Sequence, residues 1–88
     1  MEIARQRQRE AVLDALTRTL TPFLGQTMAQ AAVETHRQKL GIEGTHVTTD
    51  QLDALLTKLS AGLVIFVGRE RTDVIVRQAR SAIDALPV

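Results

Sequence analysis

Apolar residues recur at helical spacing in successive stretches of the chain, and the breaks between them carry residues that stop or start helices. From Glu2 to Leu20, the side chains Val12, Leu13, Leu16 and Leu20 share one face, while Arg, Gln, Glu, Asp and Thr fill the positions between. One amphipathic helix is expected there. Its first turns, Arg5-Gln6-Arg7-Gln8-Arg9-Glu10, carry no apolar stripe, so residues 1–9 are expected to fray or to extend past the core. Pro22 disfavours helical geometry at Thr21 and suits the first position of a new helix, which predicts a kink or break with Thr21 as the N-cap.

The second helix carries Leu24, Met28, Ala29, Ala32, Val33, His36 and Leu40 on one broad face. Gly41 takes the left-handed turn after its last residue and Ile42 folds back on it, which is a Schellman stop. Glu43-Gly44-Thr45-His46 reads as a loop. Thr48 and Gln51 then have the spacing of a capping box, Val47 and Leu52 that of a hydrophobic staple, and Asp50 suits the positive end of the helix dipole. Leu52, Leu55, Leu56, Leu59, Leu63 and Phe66 continue the apolar face of the helix that starts there.

Two readings diverge at Leu63. In one, a single helix runs from Thr49 to Val67 and ends at Gly68. In the other, Leu63 to Val67 is a strand paired with Asp73 to Val76 across Arg69-Glu70-Arg71-Thr72, a short hairpin within 63–76. The β-branched residues Val64, Ile65, Val67, Val74, Ile75 and Val76 favour the strand; the uncovered edges of an isolated hairpin oppose it. The helical reading is preferred. The last segment puts Ile75, Ala79, Ala82, Ile83 and Leu86 on one face, with Asp73–Arg77 and Arg80–Asp84 as i,i+4 charge pairs outside and Pro87 as terminator. No internal repeat or low-complexity tract is visible.

The fold class expected is therefore all-α: a single domain over 1–88, built as a bundle of about four helices. At 88 residues only one core is affordable, and 44% apolar residues rule against disorder. Aromatic residues are limited to Phe23 and Phe66, so the core is expected to be aliphatic. Cores this small give marginal stability, and dimerisation is a common way to complete them.

Composition excludes some chemistry. Without cysteine there are no disulfides, thiolate zinc sites or thiol nucleophiles. A net charge of +1 gives no bulk signal for nucleic acid or a polybasic membrane surface. The N-terminal residues lack the apolar stretch of a signal peptide, and Leu63-Val64-Ile65-Phe66-Val67 is far shorter than the about 20 residues that span a bilayer, so a cytoplasmic location without membrane insertion is expected.

His36, His46, Glu43 and Asp50 surround one loop, but their spacing matches no metal-ligand motif, and no metal or cofactor is expected. His36 lies on the apolar stripe with Val33 and Leu40, where a half-buried histidine is favoured over a phosphotransfer residue. Arg5 and Arg9 share a helix face while Arg7 opposes them, and acidic residues interleave both this group and Arg69, Arg71, Arg77 and Arg80. Arg5, Arg9, Arg69 and Arg71 are the candidate basic contacts of a small dimeric DNA-binding regulator, the competing reading. Ser60 and Ser81 sit on expected helices with no histidine and carboxylate arranged beside them, so no catalytic residues are assigned.

Leu55, Leu59, Leu63, Ile65, Phe66 and Val67 point in more directions than one narrow face allows. They are the candidate interface of a non-catalytic protein–protein interaction or regulatory module, with a second copy of the chain as the first partner. Gly25, Ala29, Ala31 and Ala32 would allow close approach of another helix. A ligand-sensing helical domain is a further alternative, without residues to name.

Overall fold

A computed structural model describes residues 6–86. Its element order is β1 (Gln6–Gln8), α1 (Arg9–Leu24), α2 (Gln26–Lys39), β2 (His46–Thr48), α3 (Thr49–Val67) and α4 (Arg69–Asp84). The helices form a ring of neighbours, α1 on α2, α2 on α3, α3 on α4 and α4 on α1. The expected small all-α bundle is what the chain builds. Val12, Leu16 and Leu20 from α1, the leucines of α3, and Ile75, Ala79 and Ile83 from α4 meet in its centre at spacings of three and four, and Ile42 and Val47 close one end.

The Schellman stop forms as the sequence predicts. Gly41 has φ 68, the Ile42 amide donates to the Arg37 carbonyl at 3.1 Å, and the Gly41 amide donates to Gln38 at 3.1 Å. Ile42 is fully buried behind it. The capping box also forms: the Gln51 amide donates to Thr48 Oγ1 at 3.1 Å, and the Thr48 amide donates to Gln51 Oε1 at 3.0 Å.

Other expectations need correction. Pro22 does not break the first helix, which runs on to Leu24; Pro22 is exposed, and Thr21 donates its hydroxyl to the Thr17 carbonyl at 2.6 Å instead of capping. The break comes at Gly25, whose φ of 82 and ψ of 157 are open essentially to glycine alone. Gly68, with φ 84 and ψ 169, makes the same one-residue link between α3 and α4. The alternative hairpin within 63–76 is absent: α3 continues through that stretch because Leu63 extends the buried row of Leu56 and Leu59, and this packing outweighs β-branched preference.

The only strands among the described residues are β1 and β2, paired antiparallel with Arg7 opposite Val47. Gln6–Gln8 is thus strand, where a frayed helical turn is expected from sequence; residues 1–5 lie outside the described part. The Arg9 amide donates to the Thr45 carbonyl at 2.8 Å, so α1 starts directly from this ladder.

The pairing exposes an order that the sequence hides. Strand, helix, single glycine and helix occur twice, as β1-α1-Gly25-α2 and β2-α3-Gly68-α4. Counted from the strands, Val12 and Leu16 correspond to Leu52 and Leu56, and counted from the linking glycines, because α3 is three residues longer than α1, Leu20 and Ala29 correspond to Leu63 and Thr72, all buried. The Arg7–Val47 pair sits at the centre, each residue in the same place within its own half.

Candidate functional site

The end of α3 carries the most exposed apolar side chains of the described residues. Ile65 is 84% exposed and Phe66 is 62% exposed. Leu63 faces inward; at about 100 degrees per residue Ile65 is carried to the opposite, outer side, while Phe66 returns to within about 60 degrees of Leu63 and stands on the flank. This divides the candidate interface. Leu55, Leu59 and Leu63 are buried within the single chain and Val67 is half-buried against the core, so the interface assignment is corrected for them. Core packing of one subunit already accounts for those four. Ile65 and Phe66 remain outside.

Phe66 stands at the edge of an apolar groove of about 140 Å³ along the α2–α3 seam. Leu20, Leu59 and Leu63 line its buried side, and Ala32 and Gly62 line the walls. Met28 stands at the same rim and is 45% exposed. The groove exists because both helices present small residues to the seam: Gly62 has no side chain, and a Cβ there would meet nothing within 4 Å. Met28 is expected from sequence on the apolar face; the buried residues of α2 are Ala29 and Val33, which turns Met28 onto the flank. Gly62, isolated within an apolar helical run, is the sequence signal that marks the groove.

His36 lines the groove too. Burial first, and then the positive charges of Lys39 and Lys58, hold its imidazole below the ordinary histidine value, which favours the neutral ring. His46 is exposed, with Nδ1 3.0 Å from Thr45 Oγ1. Among the described residues no three histidine or carboxylate side chains come together in a group that could hold a metal ion.

The candidate basic contacts do not converge. Arg5 lies outside the described residues. Arg9 donates to the Glu43 carbonyl at 3.1 Å and to Glu10 at 3.5 Å. Arg69 and Arg71 are exposed at the start of α4, roughly 24 Å away along the antiparallel α1–α4 pair by helix rise. Arg7 is buried, and its guanidinium reaches Asp84. Neither expected surface pair, Asp73–Arg77 or Arg80–Asp84, forms among the described residues, and the members of the second find longer-range partners: Asp84 faces Arg7, and Arg80 donates to Asp53 at 3.0 Å, tying α4 to α3.

No described helix is long and apolar enough to cross a membrane. No family model matches the sequence, and no curated protein or solved structure matches it either.

Proposed function

We propose that this chain is a non-catalytic protein–protein interaction module that self-associates, first as a homodimer, through the apolar surface at the end of α3. The observation that carries this reading is the exposure of two consecutive large apolar side chains, Ile65 and Phe66, with exposed Met28 sharing the groove rim with Phe66. Phe23, at the end of α1, is also partly exposed. A two-fold axis near Phe66 would lay this surface against itself, which is the arrangement of most homodimers.

Covering Ile65 or Phe66 fully gives about 1.5–3 kcal/mol each. Two copies of both therefore oppose an association cost of about 4–15 kcal/mol, so the dimer is weak and its population depends on concentration. Light scattering behind a sizing column, run across a dilution series, tests the proposal. A mass that rises with loading toward twice 9.7 kDa supports it, and a constant monomer mass at the highest loading refutes it.

A further inference from the structure

The groove has one chemical character along its length and another at its end. Its walls are Ala32 and Gly62, and its buried side is leucine. On α3, Lys58, Gly62 and Phe66 follow one another at spacings of four, and on α2, Met28, Ala32, His36 and Lys39 follow at spacings of four, four and three. Oily residues therefore occupy one end of the seam and cations the other. Lys39 and Lys58, one from each helix, both raise the positive potential at His36, and among the described residues no carboxylate offsets them there. Neither lysine takes part in an ion pair among the described residues, whereas Glu34, Asp14 and Asp53 are each held by an arginine.

Size narrows the occupant. A space of about 140 Å³ is close to the roughly 150 Å³ of an engineered apolar cavity in another protein that takes up benzene, so it holds a chain of several carbons but not a fused ring system. Three larger hollows are more open: two of about 410 Å³ lie along α1 and α2 and one of about 300 Å³ lies at Gln8, Arg9, Glu10, Thr45 and His46, and their acidic residues Glu10, Asp14 and Glu34 are paired with arginines. They lack both the apolar wall and the unpaired charge.

We propose that the α2–α3 groove binds a single-chain monocarboxylate of medium length, its tail between Ala32 and Gly62 and its carboxylate at His36, Lys39 and Lys58. The hydrocarbon packs on Leu59 and Leu63 beside Gly62, and the head meets the imidazole N–H of His36, with Lys39 one turn along α2 from His36 and Lys58 one turn along α3 from Gly62 to supply positive charge. This site does not depend on self-association, although Phe66 and Met28 border both surfaces.

Titration of octanoate into the ¹⁵N-labelled chain, followed by amide chemical shifts, tests the site, with octanol and octylammonium as parallel probes. Saturable shifts at Ala32, His36, Leu59 and Gly62 are expected with octanoate. Octanol is expected to bind at least about tenfold more weakly, and octylammonium not measurably. Gly62→Leu fills the groove without disturbing the helix and is expected to abolish the shifts. Lys39→Glu with Lys58→Glu should remove the preference for octanoate over octanol. Ile65→Glu, outside the groove, should leave binding unchanged even where it alters the mass in solution, which separates failure of this site from failure of the dimer. Octanoate shifts that do not saturate, that persist in Gly62→Leu, or that octanol reproduces at equal affinity would overturn the proposal.

Discussion

Arg7 Nη2 lies 3.4 Å from Asp84 Oδ1, joining the first strand to the last residue of the last helix. The arginine side chain is 7% exposed and the aspartate 63%, so a nearly buried cation is answered by a carboxylate that still sees water. Arg7 Nε has no hydrogen-bond partner among the described residues. The C-terminal end of α4 adds favourable negative potential beside the guanidinium. Most of what Arg7 contributes is therefore the packing of its stem. Arg7→Met is expected to fall within about 1 kcal/mol of the parent, whereas Arg7→Ala, which also opens a cavity, is expected to cost about 2–3 kcal/mol. Urea denaturation of both variants checks the order, and equal losses would show that the charge, not the stem, is what matters.

Three glycines divide by backbone conformation. Gly25 and Gly68 link their helices at φ 82 and 84, while Gly62 lies inside α3 with open space where a Cβ would stand. Gly25→Ala and Gly68→Ala are each expected to destabilise by roughly 1–3 kcal/mol. Gly62→Ala is expected to stabilise by up to about 1 kcal/mol through helix propensity. Thermal melts of the three variants read out the signs directly.

The capping box gives a more local expectation. Thr48→Ala removes the acceptor of the Gln51 amide and should cost about 1 kcal/mol, while Thr48→Ser should lose little. Comparing their denaturant midpoints separates the cap hydroxyl from the threonine methyl.

Burial, then Lys39 and Lys58, lower the pKa of His36 from its ordinary 6.5. The unfolded chain thus takes up this proton at higher pH than the folded one. The stability tied to the neutral ring is complete above the ordinary value and is lost as pH falls through the lowered folded value. Between about pH 7.5 and about pH 5 the parent should lose more stability than His36→Gln, and parallel curves for the two would rule out a contribution from this ring.

The fold was legible wherever a short segment carries its own instructions. Thr48 with Gln51, and Gly41 with Ile42, specify a start and a stop through contacts only a few residues apart. The row from Leu52 to Leu63 names its own buried face. What could not be read were features whose cause lies far along the chain. Nothing in Gln6-Arg7-Gln8 announces that it pairs with residues forty positions on, and Arg80 finds Asp53 rather than a neighbour on its own helix. Pro22 misleads because an exposed proline near a helix end can be accommodated when Gly25 supplies a sharper stop. For the site, apolar periodicity pointed to the end of α3 but could not separate Leu63 from Ile65 and Phe66; that distinction belongs to the packing of four helices at once.

Self-association through Ile65 and Phe66 is the claim on which the functional reading stands. Sedimentation equilibrium of the parent and of Ile65→Glu, from dilute to near-millimolar protein, tests it most directly. The expected result is a parent that passes from monomer to dimer with rising concentration and an Ile65→Glu chain that stays monomeric, both with the same helical circular dichroism. A parent that remains monomeric throughout, or an Ile65→Glu chain that dimerises as strongly as the parent, would contradict it.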